Sequence, residues 1–162
     1  KTGEDGTVST AFPAAQTATT TAGGLTIAKL REAMQLLIAA EVDVDNEELY
    51  CAIGAQQHDD LLGQTQAVSL DFTTKPVLVD GRIKSFMGFN FIDSQRLALS
   101  GTDRTAVCWA KSGLHLGLWN DINARITERD DKSYSTQVYL KATFGATRVE
   151  EKKVVAITCS EA

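Results

Sequence analysis

Apolar and polar residues alternate along this chain in recognisable rhythms, and the rhythm changes mark its elements. From Thr26, the residues Ile27, Leu30, Met34, Leu37 and Ile38 recur at helical spacing, with Arg31, Glu32 and Gln35 between them. Thr26 stands where an N-cap belongs, so the pattern predicts a helix beginning there. The run Leu36–Ala40 widens the apolar stripe and predicts later turns buried on more than one side. Leu49–Ile53 reads as a short apolar strand, and Gln56–Leu62 as a short helix closed by Gly63. Ala67–Phe72 alternates weakly, and Pro76 and Gly81 bound a loop.

A period of two takes over in the second half of the sequence. Between Gly81 and Ser94, Ile83, Phe89 and Phe91 fall at every-second-residue spacing, which predicts short half-buried strands bent at Gly81 and Gly88. Thr105–Trp109 and Leu114–Trp119 read as two further strands. Ile122, Ala124 and Ile126 then alternate with Asn123, Arg125 and Thr127. Past the charged turn Glu128–Ser133, Tyr134, Thr136, Val138, Leu140, Ala142 and Phe144 alternate in the same way. Two such strands around a charged turn predict a long antiparallel hairpin. Val154–Cys159 is the last predicted strand, giving an α+β chain.

Residues 1–24 differ in character. They are rich in Thr, Ala and Gly, Phe12 is their one large apolar anchor, and Gly23-Gly24 forms a break. An extended segment ending in a turn is predicted there. The sequence opens on Lys-Thr-Gly-Glu-Asp-Gly, without a start methionine or a signal-peptide apolar region, as a processed or cut piece would.

Composition narrows the function classes. A hydrophobic fraction of 43% with well-mixed charge suits a folded domain, and no apolar run approaches the ~20 residues needed to cross a bilayer. A net charge of −5, with Lys152-Lys153 offset by Glu150-Glu151, argues against a dedicated nucleic-acid patch. Cys51, Cys108 and Cys159 each lie in or beside apolar runs and form no C-x-x-C pair, so they read as buried free thiols in a reducing compartment.

Candidate chemistry is sparse. His58-Asp59-Asp60 has the look of a metal-binding His-Asp pair to which His115 could add a ligand, the arrangement of a small metal-dependent hydrolase. Such a site needs three or four converging ligands, and the chain has only two histidines. Surface and structural roles therefore fit His58 and His115 better. Asp43, Asp45, Glu47 and Glu48 suggest calcium, but an EF-hand loop starting at Asp43 would need Gly and Glu where Glu48 and Gly54 stand. There is no G-x-S-x-G, Walker A loop or G-x-G-x-x-G. No catalytic, cofactor-binding or metal residue is assigned, and an enzyme is not expected. A monomeric binding module using the helix stripe is a further alternative.

The wording of several segments goes beyond periodicity. Gly81-Arg-Ile-Lys-Ser-Phe-Met-Gly-Phe-Asn-Phe-Ile-Asp-Ser94 resembles the strand-turn-strand of tailed-phage major capsid proteins of the Hong Kong 97-type fold. Phe12–Gln16 and Gly24–Ala33 look like the approach to that family's spine helix. Leu49–Ile53 with Gln56–Leu62 is similar to the strand and helix that open its axial domain, and Asn123–Cys159 to its peripheral hairpin and returning strand. The resemblance implies residues 1–24 as a remnant of the E-loop, 25–48 as the spine helix of the peripheral domain and 49–120 as the axial domain. Residues 121–150 would be the peripheral-domain hairpin and 151–162 the strand returning to the axial domain. It implies a C-terminal piece lacking the N-terminal arm and most of the E-loop. The implied function is a coat subunit that self-assembles through hexamers and pentamers into an icosahedral shell around double-stranded DNA. Scaffold, portal or decoration proteins are the implied further partners, with weak DNA contact and no membrane. The implied location is the virion, assembled in the host cytoplasm; an encapsulin-like nanocompartment shell is the alternative.

Overall fold

A computed structural model describes residues 12–18, 23–64, the backbone of 78–79, and 82–161. The expected strand over Ala67–Phe72 and the bends at Pro76 and Gly81 lie outside these residues. A single 3₁₀ turn, Ala14–Gln16, leads into β1 (Thr17–Ala18), α1 (Ile27–Ala39), β2 (Leu49–Ile53) and α2 (Ala55–Leu62). Short strands follow: β3 (Leu78–Val79), β4 (Arg82–Ile83), β5 (Ser85–Phe86), β6 (Phe89–Asp93) and β7 (Leu99–Ser100). The longer ones come last: β8 (Asp103–Ala110), β9 (Leu114–Arg129), β10 (Ser135–Arg148) and β11 (Val154–Ser160). The chain divides into two compact units, residues 115–147 and the remainder on either side of them.

The larger unit is built on a sheet of order β1-β11-β8-β2-β6-β5, with β7 also paired to β8. β11 runs antiparallel to β8 from Val154 opposite Trp109 to Ser160 opposite Asp103. β2 is antiparallel to β8 but parallel to β6, and the crossover that a parallel pair requires carries α2. Alternation sends Val155, Ile157 and Cys159, Ala106, Cys108 and Ala110, and Leu49, Cys51 and Ile53 into one buried face. On the opposite face, Tyr50 and Trp109 stack with ring centroids 5.8 Å apart. Phe89 is fully buried at the start of β6, held there by the tight turn Met87-Gly88. Both turn residues have positive φ (52° and 82°), the twist that suits a two-residue hairpin, and glycine supplies one of them without steric cost.

α1 lies against this sheet. The Thr26 hydroxyl accepts from the Lys29 amide at 3.4 Å, as a capping residue should, and Glu41 closes the C-terminus in the left-handed region (φ 58°). The buried stripe is narrower than predicted and shifted: Lys29, Leu30, Ala33 and Leu37 are buried, Ile27 and Met34 are half-buried, and Ile38 is 55% exposed. Packing against one sheet covers only one side of a helix, so the widened run Leu36–Ala40 leaves Ile38 in solvent. α1 shares its core with β11 and β1.

Lys29 is the surprise of this helix. Its position, one turn before Ala33 and two before Leu37, puts it on the buried stripe. The ammonium donates to the carbonyls of Gly23 (2.7 Å) and Thr158 (2.8 Å), so an otherwise costly buried charge is satisfied by backbone. The Ser160 amide also donates to Gly23 at 2.9 Å, tying the segment before α1 to β11.

The smaller unit is the hairpin β9–β10. The short connection Asp130–Tyr134 allows only the antiparallel arrangement. The two strands expected at Leu114–Trp119 and Ile122–Ile126 are one continuous strand of 16 residues. Asn120 and Asp121 interrupt the apolar pattern without breaking the backbone ladder, because a strand's hydrogen bonds do not depend on its side chains.

Candidate functional site

The four residues that hinted at hydrolysis are not assembled into a site. His58 Nε2 accepts a hydrogen bond from the Ile83 amide at 3.3 Å. Asp60, two residues later on α2, turns elsewhere and accepts from the Leu25 amide at 2.9 Å, while Asp59 is exposed. His115 belongs to β9 in the other unit. Among the described residues no three His, Cys, Asp or Glu side chains are close enough to share a metal ion. A hollow lined by Ala55, His58, Arg82, Asp93, Ser94 and Gln95 lies beside α2.

The acidic cluster after α1 has local partners. Asp43 accepts from the Asn46 side-chain amide (2.8 Å) and backbone amide (3.2 Å), and these bonds hold its pKa below the usual aspartate value. Glu47 accepts from the Ser112 amide at 2.5 Å, and Glu48 pairs with Lys111 at 2.8 Å. These carboxylates fasten the 43–48 turn to the β8–β9 junction. A further polar cluster sits at the end of β11. Glu161 takes the Arg104 Nε at 2.5 Å and Gln57 Nε2 at 3.1 Å, while Arg104 also donates to the Gln95 carbonyl at 2.9 Å.

What the structure does present is an apolar surface without chemistry. On β9 the even-numbered positions Leu116, Leu118, Ile122 and Ile126 share one face, and on β10 so do Val138, Leu140 and Phe144. The two strands pair with one another in a two-stranded sheet, so both rows belong to the hairpin. All seven side chains are between 58% and 74% exposed. Each leaves on the order of 100 Å² in water, together roughly 700 Å² of exposed apolar side chain. The odd-numbered positions between them include Asn123, Arg125, Thr127, Gln137 and Lys141, with Trp119 91% and Tyr139 53% exposed among them. Alternation in the sequence predicts a long antiparallel hairpin. That pattern identifies the face to be covered but is silent on what covers it.

The family described as Phage capsid protein matches residues 1–161. The chain belongs to that family. The phage capsid chain is similar in structure to one from Mycobacterium phage Che8, with 18% identity and a TM-score of 0.71 over 88% of this chain and 52% of that one. It is likewise similar to the capsid structure of cyanophage P-SCSP1u (14% identity, TM-score 0.62, 90% of this chain and 52% of that one). A third similar structure is the holo-SrpI encapsulin complex from Synechococcus elongatus PCC 7942 (12% identity, TM-score 0.59, 90% and 53%). The chain thus spans about half the length of these structures. Their shared architecture is the expected α+β fold of Hong Kong 97-type. No curated protein matches this sequence.

Proposed function

We propose that this chain is part of a major capsid protein that self-assembles, through hexamers and pentamers, into an icosahedral shell around phage double-stranded DNA. In this reading residues 25–48 are the spine helix of the peripheral part, 49–120 the axial part, 121–150 the peripheral hairpin and 151–162 the strand returning to the axial part. The chain works by geometry and catalyses no reaction. The single observation that carries the proposal is the exposed apolar hairpin face on a chain of the capsid family. A face of that area is what one partner contributes to a standard protein interface, about 800 Å². Heterologous contacts repeated around an axis close into rings, the geometry a shell needs. Contact with packaged DNA is weak, consistent with a net charge of −5, and scaffold, portal and decoration proteins are the other partners of the assembly. The location that follows is the virion, with assembly in the host cytoplasm. Likeness to an encapsulin supports a nanocompartment shell as the second reading, in which purified particles would hold a protein cargo instead of DNA.

Electron microscopy of the full-length protein, alone and with scaffold, tests this reading. Shells or capsomer rings are expected. Leu118→Glu combined with Val138→Glu should abolish them while leaving the unfolding of the sheet unit within about 0.5 kcal/mol of the parent, as surface changes do. Persistent monomers from the unaltered protein would overturn the capsid proposal. Shells formed at parental yield by the double variant would remove the hairpin face from it.

A further inference from the structure

Two thiols face one another across the middle of the sheet. Cys51 on β2 lies directly opposite Cys108 on antiparallel β8, and both side chains point into the core with no exposed surface. Their sulfurs are 2.9 Å apart. Non-bonded carbon atoms already rest about 3.5–4.0 Å apart, and sulfur is larger, so two resident thiols are crowded at this separation. Side chains directly opposed on antiparallel strands have Cβ atoms about 4.5–5.5 Å apart, and those of a disulfide are about 3.5–4.5 Å apart, so a small strand adjustment suffices. The third cysteine has no such neighbour. Cys159 lies four residues along β11 from Val155, the residue opposite Cys108, and so about 13 Å along the strand from that level. That separation is beyond what a disulfide spans.

We propose that Cys51 and Cys108 form a redox couple that closes to a cross-strand disulfide when a small peroxide reaches the sheet, with Cys159 remaining a free thiol. The chemistry balances with hydrogen peroxide as oxidant. One thiol of the pair attacks a peroxide oxygen, the O–O bond breaks, and a sulfenic acid and one water result. The second thiol attacks the sulfenic sulfur, forms the S–S bond and expels the hydroxyl as a second water. Two protein thiols are oxidised and one peroxide is reduced to two waters. Burial pushes the Cys108 thiol well above the ordinary cysteine range and Cys159 to about 11, so the native protein reacts slowly and closure proceeds through transient opening of the sheet. The chemistry is independent of the capsid reading. Only its timing rests on that proposal, since a particle released from a reducing cell meets oxidant after its sheet has folded.

The test is intact-mass and peptide analysis after oxidation. Full-length protein is exposed to hydrogen peroxide in buffer and in urea below the unfolding transition, quenched, denatured and alkylated. Of Cys51, Cys108 and Cys159, the first two should become unavailable, the mass before alkylation should fall by two hydrogens, and the linked peptides should contain Cys51 and Cys108. Cys159→Ser should leave this outcome unchanged, whereas Cys51→Ala should abolish the two-hydrogen loss. The closed form should melt at higher temperature and return to the parental value on reduction. Cys51, Cys108 and Cys159 all alkylated throughout the series, or a linkage involving Cys159 under native conditions, would overturn the proposal. Because Cys159→Ser and the peptide map need no change at the pair itself, a misfolded Cys51→Ala would not blur the result.

Discussion

Lys29→Met isolates what a buried ammonium contributes to this fold. Methionine keeps most of the stem that packs along the α1 stripe and deletes the charge with its two hydrogen bonds. Hydrogen bonds made by charged groups are worth about 1.5–3 kcal/mol each, and the desolvation of the ammonium offsets several kcal/mol of that gain. The residue of the balance is the fate of the carbonyls. Gly23 keeps its bond from the Ser160 amide, so the oxygen that loses its described partner is that of Thr158. An unsatisfied buried acceptor costs about 1–3 kcal/mol, and that is the expected loss for Lys29→Met. Lys29→Ala also removes the packed methylenes, adding about 2 kcal/mol at ~0.8 per methylene. Urea unfolding followed by Trp109 fluorescence is the assay. Trp109 is stacked on Tyr50 inside the sheet unit, and Trp119→Phe removes the interfering exposed indole. With an m-value of about 2 kcal/mol per molar, the Lys29→Met midpoint should fall by roughly 0.5–1.5 M. A midpoint equal to or above the parent would show that the ammonium contributes nothing net, and equal losses for Met and Ala would show that its stem does not pack.

Two further outcomes follow from the same unit. Leu37→Ala should cost about 2–5 kcal/mol because its site is fully enclosed, while Ile38→Ala, next to it in sequence, should stay within about 0.5 kcal/mol; thermal unfolding distinguishes them. Glu161 gives an acid dependence of definite sign. Its bond to Arg104, then that to Gln57, holds its pKa below 4.5, so its contribution is full above that unfolded-state value and is lost as pH falls through the lower folded value. Glu161→Gln should flatten that acid limb of a stability–pH curve, and an unchanged limb would assign it to other carboxylates.

Much of the architecture was legible because local rules and tertiary packing agree. The Thr26 cap, the Leu49–Ile53 strand, the α2 helix ending at Gly63 and the alternation of β10 all appear where residue type and period place them. Long-range pairing was not legible. Nothing in Leu49–Ile53 announces that one neighbour runs parallel and the other antiparallel, since both ladders accept the same apolar residues. Lys29 escaped because polarity outvotes position in a hydrophobic pattern; its spacing of four from Ala33 and eight from Leu37 was the available signal. The hairpin was found by its period. Its exposure was hidden because alternation reports which face is apolar, and burial depends on whatever packs upon it.

The position of β11 in the sheet bears on when this chain can fold. It follows every other described strand of its sheet in the chain, yet it lies inside that sheet between β1 and β8, and α1 rests upon it. On a ribosome, α1 would be complete long before residues 154–160 emerge, its stripe of Leu30, Ala33 and Leu37 without its eventual floor. Non-local strands of this kind are paired late and slowly. The core therefore closes only after β11 has been synthesised, so a finished α1 waits for its floor and unfinished copies stay distinguishable from finished ones during that interval.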